Sequence, residues 1–421
     1  MKVALIHLSD LHIKSREDFL VQNVKHFASA CAPVVNACEK VVVAVTGDVV
    51  DRGQVTNYAI AKDFFKELEK LIRQENAGCT FDYIFVPGNH DLDYDHDPNK
   101  NLRQAFVQWA AQKDEINDDV IANCLTPQVE FWKFYSEMSG EDIPACAVHE
   151  KKIILDENHS MTFVGYNTSI FMQKNEAEGV CLVPENVFHE PSRPTQQNIV
   201  FTLFHHNPCW LTTQTQRNNR AKFITHLSQS TQFVLCGHEH NKAEKTISDL
   251  KGEKQFKYLE AESLQVGDNQ SCGVHVFDTN DWKTATPYAI EIKDGAFVLI
   301  PDDTYQVPEK SNIIRFTDKW NSFVSSIGAP IRHPSGRELT LSDLYVYPDL
   351  LPLTDLSGDR IYVYQDALDI LEDSESQNVY ILQGASQSGR TSLLKMYIQH
   401  LYQSGVNPIY ISGRDIKMSI Y

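Results

Sequence analysis

No stretch of this chain approaches the run of about 18 apolar residues that a membrane-spanning helix needs, so no such span is predicted. Paired cysteines are missing too. The nine cysteines include no C-x-x-C and follow no regular spacing, and most sit in apolar runs, as Cys181 does in VCLV and Cys236 in FVLC. That distribution argues against a disulfide framework and for buried free thiols. The opening residues, MKVALIHLSDLH, enter a strand pattern directly, without the charged region, apolar core and cleavage site of an export signal. The expectation is a cytoplasmic protein without a membrane partner. Positive charge is scarce: 38 Lys and Arg against 56 Asp and Glu leave a net charge of −18. This excess disfavours broad, non-specific binding to nucleic acid, though a local basic groove stays open. Internal repeats and low-complexity tracts are absent.

What is present is enough for two domains. The 421 residues exceed one ordinary domain, and 42% apolar with 22% charged residues suits a globular chain with a sizeable core. KVVVAV (Lys40–Val45) reads as a buried parallel strand, a β-branched run that stops at a Thr-Gly turn. The turn opens GDVVDRG, residues 47–53, and delivers Asp48 at the strand's C-terminal end, where open α/β sheets place their ligands. Four further clusters follow short apolar runs in the same way. VALIHL precedes Asp10 and His12; YIFVP precedes Asn89, His90 and Asp91; IVFTLF precedes His205 and His206; FVLC precedes His238 and His240. Taken singly, each could be no more than a turn in which Asp, Asn and Gly bend the chain. Together, strand-end placement converges them on one edge of a sheet as a two-metal site.

The ordered set Asp-x-His, Gly-Asp-x-x-Asp-Arg-Gly, Gly-Asn-His-Asp, His-His and Gly-His-x-His resembles the calcineurin-like metallophosphoesterase family over roughly 230 residues. The resemblance implies that one divalent ion takes Asp10, His12, Asp48 and His240. The other takes Asp48, Asn89, His205 and His238, with Asp48 bridging at a spacing of roughly 3.5–4 Å. His205 rather than His206 falls on the ligand position when Trp210 registers the turn. His90 is implied to face substrate and protonate the leaving oxygen, oriented by Asp91. Arg52 braces the loop or reaches phosphate. With His, Asp and Asn but no Cys, the ions should be Mn²⁺ first, or Fe or Zn²⁺. Bound metal also reconciles an acidic chain with an anionic substrate. His7, His149, His159, His189 and His226 fall outside the motifs, in packing or surface roles.

The fold expected over residues 1–300 is α/β: the metallophosphoesterase sandwich of two mixed sheets flanked by helices. YAIAKDFFKELEKLIRQ is predicted as a crossover helix, with Ile60, Phe64, Leu68 and Leu71 at helical spacing. Aromatic residues spaced near-helically between Leu92 and Gly140 predict helices packed at the pocket rim or as a pad on the sheet edge. KIILDENHSMTFVGYNTS reads as a hairpin. FKYLEAESL, GVHVFDT, YAIEIK and AFVLIP are predicted to close the second sheet.

Residues 301–345 read as a linker, with one helix expected in TYQVPEKSNIIRFTDKWNSFVSSIG, and 346–421 as an incomplete P-loop α/β segment. There NVYILQ, as a buried strand, leads into GASQSGRT, with Gly384, Gly389, Arg390 and Thr391 as nucleotide-binding candidates. Arg390 stands where the motif wants Lys, which keeps the charge but changes the phosphate geometry. The segment resembles the start of a STAND-type NTPase module, which implies ATP and Mg²⁺ as cofactors in a longer protein that oligomerises through its C-terminal region. An unrelated Gly-rich turn is the plain alternative.

The function expected is dimetal hydrolysis of phosphodiesters, as a nuclease or cyclic-nucleotide phosphodiesterase serving as effector of a sensor NTPase. Its partners would be a phosphoester substrate, nucleic acid or a cyclic nucleotide. The alternatives are a phosphomonoesterase and a non-catalytic binding module that keeps a structural metal site.

Overall fold

The computed structural model describes residues 1–98, 100–173, 177–189, 191, 197–216, 218–240, 243–248, 255–265, 270–308, 317–329, 331–334, 338–350, 365–367, 381–403 and 408–411. Contacts divide the chain into two compact units, Met1–Lys310 and Ser311–Tyr421.

The first unit begins with β1 (Lys2–Leu8), α1 (Phe19–Gln22), α2 (Val24–Val35), β2 (Lys40–Thr46), α3 (Val55–Glu75) and β3 (Thr80–Val86). β1, β2 and β3 pair in parallel, in the order the crossovers dictate. Alternation along each strand sends Val3, Leu5, Val42, Ala44, Ile84 and Val86 to the inner face, and Ala4, Ile6, Val41, Val43 and Phe85 to the outer. α3 covers the outer face with Tyr58, Ala61, Phe64, Phe65, Leu68 and Ile72, all buried.

The insertion after β3 forms α4 (Lys100–Ala110), α5 (Asp118–Leu125) and α6 (Val129–Ser139). α6 packs its Phe131, Phe134 and Tyr135 into the core that lies against α3 and β3. Arg103 on α4 is 5% exposed and ties the insertion down. Its guanidinium donates to the carbonyls of Met172 (2.8 Å), Cys124 (3.0 Å) and Ile170 (2.7 Å), beside Asp97 at 3.7 Å. Removing one side of such a buried pair leaves a stranded charge and orphaned acceptors. We expect Arg103→Met to lose about 3–5 kcal/mol of stability, measured by urea unfolding. A loss within 1 kcal/mol, roughly the scale of a surface pair, would contradict this assignment.

β4 (Val148–Ile154) and β5 (His159–Tyr166) form the expected antiparallel hairpin. β6 (Gln197–Leu203), α7 (Asn219–Ser230), β7 (Phe233–Cys236), β8 (Ala243–Ser248) and β9 (Gln255–Glu260) complete a second sheet of order β4-β5-β6-β7-β9-β8. Its β5, β6, β7 and β9 are parallel. Phe163, Phe201, Leu203, Phe233 and Leu235 meet the inner face of the first sheet in one core. Phe223 and Leu227 of α7 cover the outside.

One expectation needs correcting. Of the strands predicted to close the second sheet, only β9 does so. β10 (Ser271–Asp278), β11 (Asp281–Lys293) and β12 (Ala296–Pro301) return to the first sheet, giving the order β12-β11-β10-β1-β2-β3. β10 runs antiparallel along the edge of β1, and β13 (Tyr305–Gln306) pairs with β11. An unpaired β1 edge would leave a row of exposed backbone donors and acceptors, and this return satisfies them.

In the second unit, α8 (Asp318–Ser325) and α9 (Leu341–Leu344) occupy the stretch expected as linker, while β14 (Asp349–Leu350) and β15 (Gln365–Asp366) form a short ladder. α8 packs beside α10 (Arg390–Gln403): Lys395 and Gln399 donate to the carbonyls of Ser326 (2.9 Å) and Val324 (2.8 Å). The buried strand expected before GASQSGRT is not formed at residues 381–383, where Ile381 is 82% exposed and no strand among the described residues pairs with it. Residues 378–380 lie outside the described ones. Among the described residues no helix is long and apolar enough to cross a membrane.

Candidate metal centre

Both sheets present the C-terminal ends of parallel strands at one edge, and the five motifs sit there. The pairing of β1 with β2 continues past the strands, with Asp10 N–H donating to Gly47 O (3.1 Å) and His12 N–H to Asp48 O (2.9 Å). In the second sheet Gly237 N–H donates to His205 O (3.1 Å), and across the sandwich His238 N–H donates to Asp10 Oδ2 (3.0 Å).

The turns that deliver the side chains are strained. Asp10, His12, Asp48, His238 and His240 have left-handed backbones, with φ between 44° and 78°, and are five of the eight such non-glycine residues described. Each such conformation costs about 1–3 kcal/mol and persists where the surroundings over-determine it. Close approach adds its own demand for glycine. A Cβ on Gly88 would overlap the Asp48 carboxylate, and one on Gly237 would overlap Ser9 and the Asp10 carboxylate.

The side chains gather into two overlapping groups. In the first, His240 Nε2 lies 3.2 Å from Asp10 Oδ1 and 3.4 Å from His12 Nε2, which is 3.9 Å from both Asp10 Oδ1 and Asp48 Oδ2. In the second, His205 Nε2 lies 3.2 Å from Asp48 Oδ2, 2.9 Å from Asn89 Oδ1 and 3.2 Å from His238 Nδ1. Asp48 Oδ2 belongs to both. Such edges suit donors at about 2.0–2.2 Å from a shared ion. His205 Nδ1 donates to Thr46 O (2.7 Å), which aims Nε2 inward. His206 stands behind, with Nδ1 2.9 Å from Thr168 Oγ1.

The electrostatics ask for positive charge at this point. Asp10 Oδ1 is buried without a hydrogen bond of good geometry. Burial pushes the Asp48 carboxyl up, yet His205, then His12 and His90, hold it well below the usual range. Burial likewise opposes charge on His205, but Asp48 and Asp10 draw its pKa up to about 10. Burial and then His205 push His238 down to about 3. A divalent cation answers the same demand of the two carboxylates, so the donor set fits one.

His90 stands outside both groups. Its side chain is 42% exposed and meets the His12 ring edge-on, with centroids 4.6 Å apart. Here a second expectation changes. Asp91 does not orient His90: it is fully buried, and its carboxylate accepts from the N–H groups of Gly88 (2.9 Å), Val49 (3.2 Å) and Val50 (3.3 Å) and from Tyr58 Oη (3.0 Å). It ties the Asn89 turn to the Asp48 turn, and burial followed by the nearby Asp48 raises its pKa to about 7. The residue beside His90 is Asp51, whose carbonyl lies 3.1 Å and carboxylate 4.0 Å from Nδ1. Its place in GDVVDRG, three residues after Asp48, was the available signal.

Trp210, which registered the turn in the sequence, stands edge-on to His238 at 4.3 Å and donates from Nε1 to Glu239 (2.5 Å). Arg52 is exposed, and no ion pair of its guanidinium is found among the described residues. It lines a cavity of about 370 Å³ together with Asn89, His90, Tyr94 and Gln173. Gly384, Gly389, Arg390 and Thr391 belong to the second unit, on an exposed loop in which Gly389 has φ 82° and α10 starts at Arg390.

Behind the centre, His7 is 2% exposed, its Nε2 3.0 Å from Thr46 Oγ1. Burial, then the neighbouring His275, pushes its pKa from 6.5 down to about 3. The unfolded chain therefore binds this proton first, so stability is full above pH 6.5 and is lost as pH falls toward 3. We expect His7→Gln to lose roughly 2 kcal/mol less than the parent between pH 7 and pH 5, read from urea midpoints. Identical pH dependence of the two proteins would exclude the buried, neutral state of His7.

A family model described as calcineurin-like phosphoesterase matches residues 3–242. No curated protein matches the chain. A solved structure titled "GAP50 the anchor in the inner membrane complex of Plasmodium" is similar at 11% identity and a TM-score of 0.40, covering 73% of this chain and 90% of that one. With the match spanning more than half of the sequence and all five strand-end motifs inside it, the chain belongs to the calcineurin-like phosphoesterase family, whose chemistry is metal-dependent hydrolysis of phosphoesters.

Proposed function

We propose that the chain hydrolyses phosphodiesters with two divalent cations, Mn²⁺ foremost and Fe or Zn²⁺ as alternatives. Asp10, His12, Asp48 and His240 would hold one, and Asp48, Asn89, His205 and His238 the other. The observation that carries this reading is Asp48 Oδ2, which faces His12 Nε2 at 3.9 Å in one donor group and His205 Nε2 at 3.2 Å in the other. The ions supply Lewis-acid neutralisation of the phosphoryl oxygens and activation of the attacking water. Around them the chain's own residues divide the work. Asn89 contributes a neutral oxygen where another carboxylate would quench positive charge. His90, free of both groups and at the cavity wall, protonates the leaving oxygen, with Asp51 holding its far nitrogen. Arg52, at the same wall, supports phosphate from the solvent side.

Nucleic acid strands and cyclic nucleotides are the two substrate classes within this reading. It is tested by purified protein with Mn²⁺ against a bis-nitrophenyl phosphodiester, cyclic nucleotides, a single-stranded oligonucleotide and a nitrophenyl monoester. Diester turnover well above monoester turnover supports it, and the reverse order would make the protein a phosphomonoesterase. For the second unit we propose a nucleotide-sensing role, with the left-handed Gly389 and the start of α10 forming an anion-binding turn. ATP titration of Arg390→Ala against the parent tests it.

A further inference from the structure

The cavity beside the metal centre carries information about the leaving group. It opens against Asn89 and His90, so it lies on the side from which the leaving oxygen would take its proton. Its volume of about 370 Å³ holds a group of nucleoside size, and Tyr94 offers a ring in its wall. The charges of the wall are lopsided. Asp51, Asp93 and Asp95 line it, against Arg52 as the one lysine or arginine among the described lining residues. Asp51 also faces Lys14 at 3.7 Å, an exposed pair that water and salt screen. Asp93 holds the His96 ring at 2.8 Å.

The adjoining surface repeats the pattern. A neighbouring groove of about 680 Å³ shares Gln54 and Asp93 with it and runs past the exposed Val55 and Val129 to Glu130. No lysine or arginine is among its described lining residues. A groove that tracks a polynucleotide does the opposite. It spaces Lys and Arg along the backbone so that each phosphate beyond the scissile one releases counterions rather than meeting carboxylates. Here a second phosphate would enter a recess beside the half-buried Asp93 and the exposed Asp95, with Arg52 already committed to the first.

We infer that this cleft selects phosphodiesters carrying a single phosphate and a neutral or cationic leaving group, and selects against oligonucleotides. The inference rests on the two-metal reading above, and it decides between the substrate classes that reading contains. A cyclic nucleotide or a diester of an uncharged alcohol meets the requirement, because the metals and Arg52 neutralise its one phosphate.

The test varies charge alone. With Mn²⁺ bound, a dinucleoside monophosphate is compared with the same dinucleotide carrying a terminal phosphate on its leaving side, and with a longer single strand. We expect kcat/KM to fall by about tenfold on adding the terminal phosphate, as a like charge within several ångströms of two carboxylates would impose, and at least as far for the strand. In Asp93→Asn/Asp95→Asn the ratio should shrink to about threefold or less. Calorimetric binding of the same ligands to the inactive His90→Asn protein should rank them in the same order. Equal kcat/KM for all three substrates, or an unchanged ratio in the double variant, overturns the inference while the two-metal reading stands. Failure to cleave any diester with both metals bound overturns the two together.

Discussion

Replacing Asp48 by alanine is expected to strip the protein of metal and of hydrolysis together. Its Oδ2 faces His12 Nε2 at 3.9 Å on one side and His205 Nε2 at 3.2 Å on the other, so both donor groups lose a member at once. The loss reaches further, because Asp48 Oδ1 accepts from His90 N–H at 2.8 Å and so helps set the Asn89 turn. Elemental analysis after gel filtration should find less than one ion per chain where the parent retains two. Diester turnover should fall by about 10³-fold or more, as when a bridging charge that stabilises the transition state is removed. Asp48→Asn, which keeps the shape but not the charge, should fall between the two. Full metal occupancy in Asp48→Ala would rule out the bridging assignment.

His90→Ala separates chemistry from binding. His90 belongs to neither donor group, so both ions should remain while turnover drops by roughly 10²–10⁴-fold, the range of general acid catalysis. The loss should be larger for an alkoxide leaving group than for nitrophenolate, which departs with little protonation. Equal losses on both would show that His90 only positions the substrate. Asp51 refines the test. Its carboxylate lies 4.0 Å from Nδ1, whereas its carbonyl at 3.1 Å remains in any variant. Asp51→Asn, which removes that charge but not the carbonyl contact, should lose about tenfold in turnover with both ions retained. Asp91→Asn should act differently, as destabilisation, because that carboxylate collects backbone N–H groups rather than the His90 ring.

These two aspartates show where reading the chain reached its limit. Asp91 is adjacent to His90 in sequence, and adjacency suggested partnership. Yet successive side chains in a tight turn point different ways, and this one points into the core toward Tyr58. Asp51, remote by 39 positions, is the one whose carbonyl meets the ring. The strands behaved differently. β1, β2, β3, β6 and β7 were legible because a buried parallel strand needs an unbroken apolar run, and in each the run stops just before the motif. α3 was legible because one apolar face at helical spacing is a local pattern. β8, on polar AEKTIS at the sheet edge, offered no such run. The second unit resisted for a related reason: a glycine-rich turn and a helix can be recognised singly, but burial of the strand before them depends on neighbouring strands.

The order of the motifs, the ligand chemistry and the arrival of each cluster at the end of a strand were determined by the sequence alone, since all three follow from local composition and periodicity. The choice of sheet for β10 to β12 was tertiary, settled by pairing Lys2 with Asp278 across the open edge of β1. So were the sharing of Asp48 between the two groups and the left-handed turns at Asp10, His12, Asp48, His238 and His240. Those turns are unfavourable by themselves, and they hold only because two sheets, closed on each other through a common core, leave the backbone at that edge no other path.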